Sequence, residues 1–253
     1  MSAVYDAGLF LDDAPSIAYQ SEHVTLWQGD ASLVLPTIET ESLDLVVTDP
    51  PYGVDWQSGF RKESFDRLAN DGSADREIVR TVLRESVRLV GQNRHLYVFG
   101  PADVLEGLKV SATTPLIWDK ATIGGGDLSS PWAPAHEPIH FMTSKHRHAG
   151  QTGREGVANR VRKGSVLRFP RPTGRKVRHP SEKPVPLLRE LIESSSRQGE
   201  TVLDPFAGIG STGVAAILSG RRAVLVELDP RYVEIAVGRI KQAETAVAMG
   251  ATA

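Results

Sequence analysis

Residues 201–218 constrain the fold more than any other stretch of this 253-residue chain. Thr201 to Phe206 reads as a strand, Gly208-Ile209-Gly210-Ser211-Thr212-Gly213 as a tight turn, and Ser211 to Leu218 as a helix that Gly220 stops. A strand that passes into a helix through glycines belongs in a sheet, with the helix packed back on one face. Ala223 to Leu228 is a further buried strand. Asp229 and Pro230 then read as the N-cap and first residue of a last helix, which carries Tyr232, Val233, Ala236, Val237 and Ile240 at helical spacing.

The rest of the chain repeats this alternation without an internal sequence repeat. Val24 to Gln28 reads as a strand that Gly29-Asp30 turns into a helix, and Pro36 ends that helix. Leu43 to Thr48 is a largely apolar run suited to a buried parallel strand. Ile78, Val79, Val82, Leu83, Val87 and Leu89-Val90 repeat at helical spacing, and His95 to Phe99 is the next strand. Leu116 to Trp118 and Pro138 to Met142 are shorter strand candidates around the glycine turn 124–126. Pro184 precedes a buried stripe of Leu187, Leu188, Leu191 and Ile192. Residues 1–21 look like an irregular arm, and 53–72 like a loop. The expected class is α/β, a mostly parallel sheet with helices on both faces.

Directly after the run ending at Val47 and Thr48 comes Asp49-Pro50-Pro51-Tyr52. The prolines fix φ near −65° and contribute no N–H, so their carbonyls and the Asp49 carboxylate form a row of acceptors without adjacent donors. Tyr52 supplies an aromatic face beside that row. The combination suits a flat ring carrying an amino group, such as an extruded adenine or cytosine.

Composition matters where it excludes chemistry. The chain has no cysteine, which removes disulfides, thiolate nucleophiles and cysteine-ligated zinc. No His and carboxylate cluster has metal-ligand spacing, so no metal is expected. The N-terminal residues, with Asp6, Asp12 and Asp13, lack a signal pattern, and no apolar stretch is long enough to span a bilayer. A soluble, cytoplasmic protein is expected.

The net charge of −2 conceals a strong asymmetry. From residue 145 to 178 there are eleven Lys and Arg against the single acid Glu155, so this segment carries +10 and the remainder −12. Such a segment is either a solvated loop or the electrostatic footprint of a nucleic-acid-binding region. With about six of these residues on phosphates, log K would fall with log salt at a slope of roughly −5.

The glycine turn also fits the dinucleotide fingerprint, with Glu227 nineteen residues after Gly208. A nicotinamide oxidoreductase is therefore a competing reading. Two features weigh against it. Beyond the helix that the turn opens, only one strand and one helix follow, too little for a second mononucleotide half, and Asp204-Pro205-Phe206 places a carboxylate where a pyrophosphate would be repelled. A ligand bearing a sulfonium, an ammonium and a ribose suits that carboxylate better.

The DPPY box and an adenosyl-type glycine turn together resemble the amino-group DNA methyltransferases, which form N6-methyladenine or N4-methylcytosine. Here the catalytic box precedes the cofactor turn and the basic segment lies between them. That order looks like the circularly permuted β group of the family. Gly29-Asp30, Trp118-Asp119-Lys120, His136-Glu137, the run His179-Pro180-Ser181-Glu182-Lys183-Pro184, and Glu227 through Tyr232 resemble further family elements. The resemblance implies a Rossmann-like, mostly parallel seven-stranded sheet, circularly permuted, with a basic target-recognition insert.

It further implies S-adenosylmethionine as cofactor, held by Asp30, Lys183, Asp204, Phe206, Ala207, Gly208, Gly210, Ser211, Thr212 and Glu227. Asp49, Pro50, Pro51 and Tyr52 would be catalytic. Duplex DNA would be bound by Lys145, Arg147, Arg154, Arg160, Arg162, Lys163, Arg168, Arg171, Arg175, Lys176 and Arg178. The implied division is an arm (1–22), a catalytic half (23–142), a recognition insert (143–178), a cofactor half (179–247) and a tail (248–253). Adenine N6 is the expected target because the first box residue is Asp, with cytosine N4 as the alternative; a catalytically silent DNA-binding relative is the other. A homodimer and a cognate restriction nuclease are compatible partners. Plainer roles also fit several residues: Tyr52 as a core aromatic, Asp49 as a turn former, Lys183 as a helix cap, Phe206 as packing, and Trp56, Phe60 and Phe65 as a loop packed on the body.

Overall fold

The computed structural model describes residues 14–51, 76–122, 131–144, 163–172 and 182–250. Nine strands form one sheet: β1 (Ser16–Gln20), β2 (Val24–Gln28), β3 (Leu43–Thr48), β4 (Val90–Phe99), β5 (Ala112–Asp119), β6 (His136–Thr143), β7 (Val166–Arg168), β8 (Thr201–Asp204) and β9 (Arg222–Glu227). Their order is β1-β2-β9-β8-β3-β4-β6-β5-β7. The seven strands from β2 to β5 in that order are the expected sheet, parallel from β2 to β4 and antiparallel at β6. β1 and β7 extend it at the two edges.

Among the described residues five helices cover it: α1 (Ala31–Val34), α2 (Arg76–Leu89), α3 (Val185–Ser195), α4 (Ser211–Leu218) and α5 (Pro230–Ala248). Side chains alternate along each strand, so neighbouring residues serve opposite faces. Leu45, Val47, Tyr97, Phe99 and Val202 join the core under α3, α4 and α5. Val46, Leu96, Val98 and Leu203 join the core under α1 and α2. This two-sided burial is why β3 and β8 read as apolar runs. Asp44, the one break in β3, accepts from the Thr201 N–H (2.8 Å) and pairs with Arg94 (3.0 Å).

Two expectations need correction. Residues 16–20 are not irregular, because they form β1, antiparallel to β2. An edge strand with mostly exposed side chains has no hydrophobic alternation to read, and its anchor is remote in sequence. Tyr19 and Ser21 both donate to Glu244 of α5, at 2.6 and 2.5 Å. Second, β4 begins at Val90, directly after α2, and not at His95. Polar Gln92, Asn93 and Arg94 disguise that end, with Asn93 at φ 59°.

Gly210 caps α4 in the left-handed region at φ 75°. A Cβ there would lie 3.0 Å from the Ala236 Cβ and 3.3 Å from its Cα, on the packed face of α5. Replacing Gly210 by Ala should therefore destabilise the protein by about 2 kcal/mol, from left-handed strain plus overpacking. A urea midpoint within error of wild type would show that α5 yields freely. Among the described residues no helix is long and apolar enough to cross a membrane.

Candidate active site

Parallel pairing of β3 with β8 brings the two distant motifs to one edge of the sheet. Leu45 pairs with Val202 and Val46 with Leu203, so both strands end side by side. Beyond those ends, the Thr48 hydroxyl donates to Asp204 Oδ1 (2.8 Å), and the Thr212 hydroxyl at the start of α4 donates to Oδ2 (2.6 Å). The Phe206 N–H adds a third bond to Oδ1 at 3.1 Å. Asp204 thus ties the residue before Asp49 to the helix that opens at the glycine turn. Burial raises its pKa to about 6, against these hydrogen bonds, and the neighbouring charge of Asp49 adds to the rise.

The turn itself is built for a ligand approaching its backbone. Gly208 has φ 52°, and a Cβ built on it would point into open space. Ala207 is tied to β9 through its N–H and the Val226 carbonyl (2.9 Å). Arg239 of α5 fixes the far side, donating to the Ile209 carbonyl and Ser211 Oγ, both at 3.0 Å.

Glu227, at the end of β9, accepts from the Gly208 N–H (2.6 Å) and the Asp229 N–H (2.8 Å). Burial lifts its carboxyl to about 7 in spite of those bonds. The Gly29 N–H reaches the Glu227 carbonyl (2.9 Å), which places Asp30 alongside; Asp30 caps α1 by accepting from Ser32 N–H at 2.8 Å. Phe206 is half-buried and packs on the α1–α2 core.

Lys183 reaches Asp49 and Glu137. Its ammonium, on the chain just before α3, lies 2.5 Å from Asp49 Oδ2 and 2.9 Å from Glu137 Oε1. The ring centroids of Phe99 and Trp118 are 5.2 and 5.9 Å away. Lys120, at the end of β5, meets the other Glu137 oxygen at 3.1 Å. Glu137 came to notice in sequence only through the His136-Glu137 pair, and Thr48 through nothing.

Of the other expected residues, Tyr52 lies outside the described residues, as do Trp56, Phe60 and Phe65. So do Lys145, Arg147, Arg154, Arg160, Arg162, Arg175, Lys176 and Arg178. Within the basic segment, Arg168 ends β7 and pairs loosely with Asp119 at 3.6 Å, Arg171 is exposed, and Lys163 pairs with Glu190 of α3. β7 lies parallel to β5, so this part of the segment extends the main sheet. Among the described residues no group of three or more His, Cys, Asp or Glu could hold a metal ion.

The donor set suits S-adenosylmethionine: the buried Asp204 and half-buried Glu227 carboxylates for ammonium and hydroxyl groups, beside a glycine turn with room for a ligand. Residues 43–238 match the DNA methylase family. DNA adenine methyltransferase YhdJ of Escherichia coli K12 is 27% identical, over 88% of this chain and 84% of its own length. Type II methyltransferase M.HinfI of Haemophilus influenzae is 25% identical, over 86% of this chain and 68% of its own. Among solved structures, TTHA0409 of Thermus thermophilus, complexed with S-adenosyl-L-methionine, aligns with TM-score 0.62 at 25% identity, over 88% of this chain and 96% of that one. PvuII DNA methyltransferase (cytosine-N4-specific) shares the fold at TM-score 0.65 and 15% identity, over 92% and 95%. With its acceptor box and its glycine turn joined through Asp204, the chain belongs to the DNA methylase family of amino-group methyltransferases.

Proposed function

We propose that the protein transfers a methyl group from S-adenosylmethionine to the N6 amino group of an adenine flipped out of duplex DNA. The observation that carries this is the Thr48–Asp204–Thr212 bridge, which sets the Asp49 box against the glycine turn. Two relatives support the choice of base and reaction, since one is named a DNA adenine methyltransferase and the other a type II methyltransferase. A cofactor complex of a structural relative supports S-adenosylmethionine.

Gly208, Gly210, Asp204 and Glu227 would hold the cofactor, with Asp30 beside Glu227. Bound there, it supplies an electrophilic methyl group on a sulfonium sulfur. An exocyclic amine is a poor nucleophile because its lone pair is delocalised into the ring. Asp49 and the Pro50 carbonyl would accept hydrogen bonds from its two N–H groups, which lets the nitrogen pyramidalise and point its lone pair outward. As the nitrogen–methyl bond forms and the sulfur–methyl bond breaks, leaving a neutral thioether, the nitrogen would shed one proton by way of Asp49 to water. Tyr52 stacks on the flipped base, offsetting by about 1–3 kcal/mol the few kcal/mol that extrusion costs. No covalent enzyme intermediate is needed, consistent with a chain without cysteine.

Residues 145–178 serve as the DNA-facing region in this reading, and the enzyme works in the cytoplasm, alone or as a homodimer beside a cognate nuclease. Arg168→Ala and Arg171→Ala should each reduce the slope of log K against log salt by about one, while weakening all sequences alike. Unchanged slopes would place those two side chains off the DNA.

The decisive assay incubates the protein with unmethylated duplex DNA and labelled S-adenosylmethionine, then separates the nucleosides. Label in N6-methyldeoxyadenosine is expected. Label in N4-methyldeoxycytidine would change the base, and no label on any DNA would refute methyl transfer.

A further inference from the structure

A chain of alternating charges crosses the catalytic rim, from Lys120 to Glu137 to Lys183 to Asp49, with contacts of 3.1, 2.9 and 2.5 Å. Its members come from the end of β5, the start of β6, the approach to α3 and the end of β3. No two are close in sequence; the β5–β6 ladder, which aligns Trp118 with Glu137, brings Lys120 and Glu137 together in space. We propose that Lys183 is a positioning residue for Asp49, clamping one carboxylate oxygen so that the carboxylate stays ionised and its other oxygen is aimed at the target amine. This rests on the adenine methyltransferase reading above and assigns Lys183 to the catalytic box instead of the cofactor.

Three observations carry it. Lys183 is 7% exposed, and an ammonium that deep is tolerated only when fully compensated. Two carboxylates and two aromatic faces provide that compensation on the Asp49 side. Next, at least two of its three N–H donors are committed to Asp49 and Glu137, so a role on the cofactor would draw it away from two half-buried acids. Finally, α3 is held rigidly: Ser195 at its far end bonds His95 Nδ1 (2.8 Å) and the Tyr97 hydroxyl (2.6 Å) on β4. A rigid helix fixes where the residue before it can reach.

The charged groups around Asp49 among the described residues include Lys183, Glu137 beyond it, and Asp204 on β8, with Lys120 behind Glu137. Lys183 is thus an adjacent cation beside two nearby acids. Burial disfavours its charge, yet the attraction of Asp49 and Glu137 prevails and raises its pKa; Glu137 is lowered, burial notwithstanding, by Lys183 and Lys120. Without the ammonium, Asp49 would lose that cation beside two acids and take up a proton at higher pH.

The test compares wild type with Lys183→Met, Lys183→Arg and the double variant Lys183→Met/Glu137→Gln, which removes one of the two acids together with the ammonium in case the single change fails to fold. Single-turnover methylation is followed from pH 5 to 9, cofactor affinity by calorimetry, and the Asp49 carboxyl by carbon-13 NMR in the cofactor-free protein. Expected are a loss of about 100-fold at pH 7 for the Met variants, an ascending limb moved more than about one pH unit upward, and partial rescue by Arg. The NMR titration of Asp49 should move with it, and cofactor affinity should stay within about threefold.

An Asp49 titration unchanged by loss of Lys183 would overturn the proposal. So would a pH limb left in place while cofactor affinity falls tenfold, which would return Lys183 to the cofactor. Because the NMR readout needs no turnover, a wild-type protein that labels no adenine would sink the function without deciding this point.

Discussion

Replacing Asp49 by alanine should reduce methyl transfer by at least about 1,000-fold while leaving S-adenosylmethionine affinity within about threefold. The reason for the split is spatial. Asp49 sits one residue beyond Thr48, whose hydroxyl belongs to the Asp204 bridge, so the strand end and the turn keep their anchor when the carboxylate is removed. What disappears is the acceptor that localises the amine lone pair. A loss of that size corresponds to about 4 kcal/mol of transition-state stabilisation, within reach of a well-placed electrostatic group in a dry site.

Lys183 keeps Glu137 as a partner in the variant, so its ammonium is not left bare. Glu137, held between Lys183 and Lys120, secures that side of the rim. Single-turnover kinetics and calorimetric titration of the cofactor check the two halves of the expectation. A collapse of cofactor affinity alongside activity would mean that Asp49 contacts the cofactor, and the division of labour between the two motifs would have to be redrawn.

Much of this arrangement was legible because the residues that build the site also break secondary structure. Asp49-Pro50-Pro51 ends a strand and the glycines of 208–213 join a strand to a helix, so chemistry and chain reversal share one signature. The helices followed from caps and periodicity: Asp229 does cap α5, accepting from the Arg231 N–H at 2.8 Å. Less visible was which strands lie side by side. Periodicity says that β3 and β8 are buried, but only three-dimensional pairing puts Thr48 on Asp204, 156 positions apart.

Lys183 illustrates the same limit. Its run of His, Pro and Lys is local, whereas its partners Asp49 and Glu137 arrive from 134 and 46 positions away. Edge strands were hidden for another reason. β1 and β7 each bury little and pair on one side only, so neither shows an apolar period.

The Asp204→Asn variant should be more stable than wild type at pH 8, by up to about 3 kcal/mol, yet bind S-adenosylmethionine at least about tenfold more weakly. Asp204 is 4% exposed and, in the folded chain, titrates near 6 against 3.8 for an ordinary aspartate. The raised value means that the native state holds the proton more tightly than the unfolded chain does. Its stabilising contribution is therefore complete below about pH 4 and is lost as the pH climbs through 6, when a charge must be carried in a buried site. Asparagine has the same shape without that charge. Its oxygen can still accept from Thr48 and the Phe206 N–H, and its amide can donate to a Thr212 hydroxyl rotated to accept.

The advantage of the variant should accordingly be near zero at pH 4 and grow to its full size by pH 7 to 8, as read from urea midpoints along the pH series. The cofactor reverses the preference, because its ammonium and sulfonium favour the ionised acid that the empty protein tolerates poorly. Wild-type affinity should rise with pH across the same interval, with a proton released on binding below pH 6. A variant that is less stable at every pH would show that the ionised carboxylate, with its three hydrogen bonds, is a net stabiliser of the fold. In that case the cost of the buried Asp204 charge would not be what the cofactor relieves.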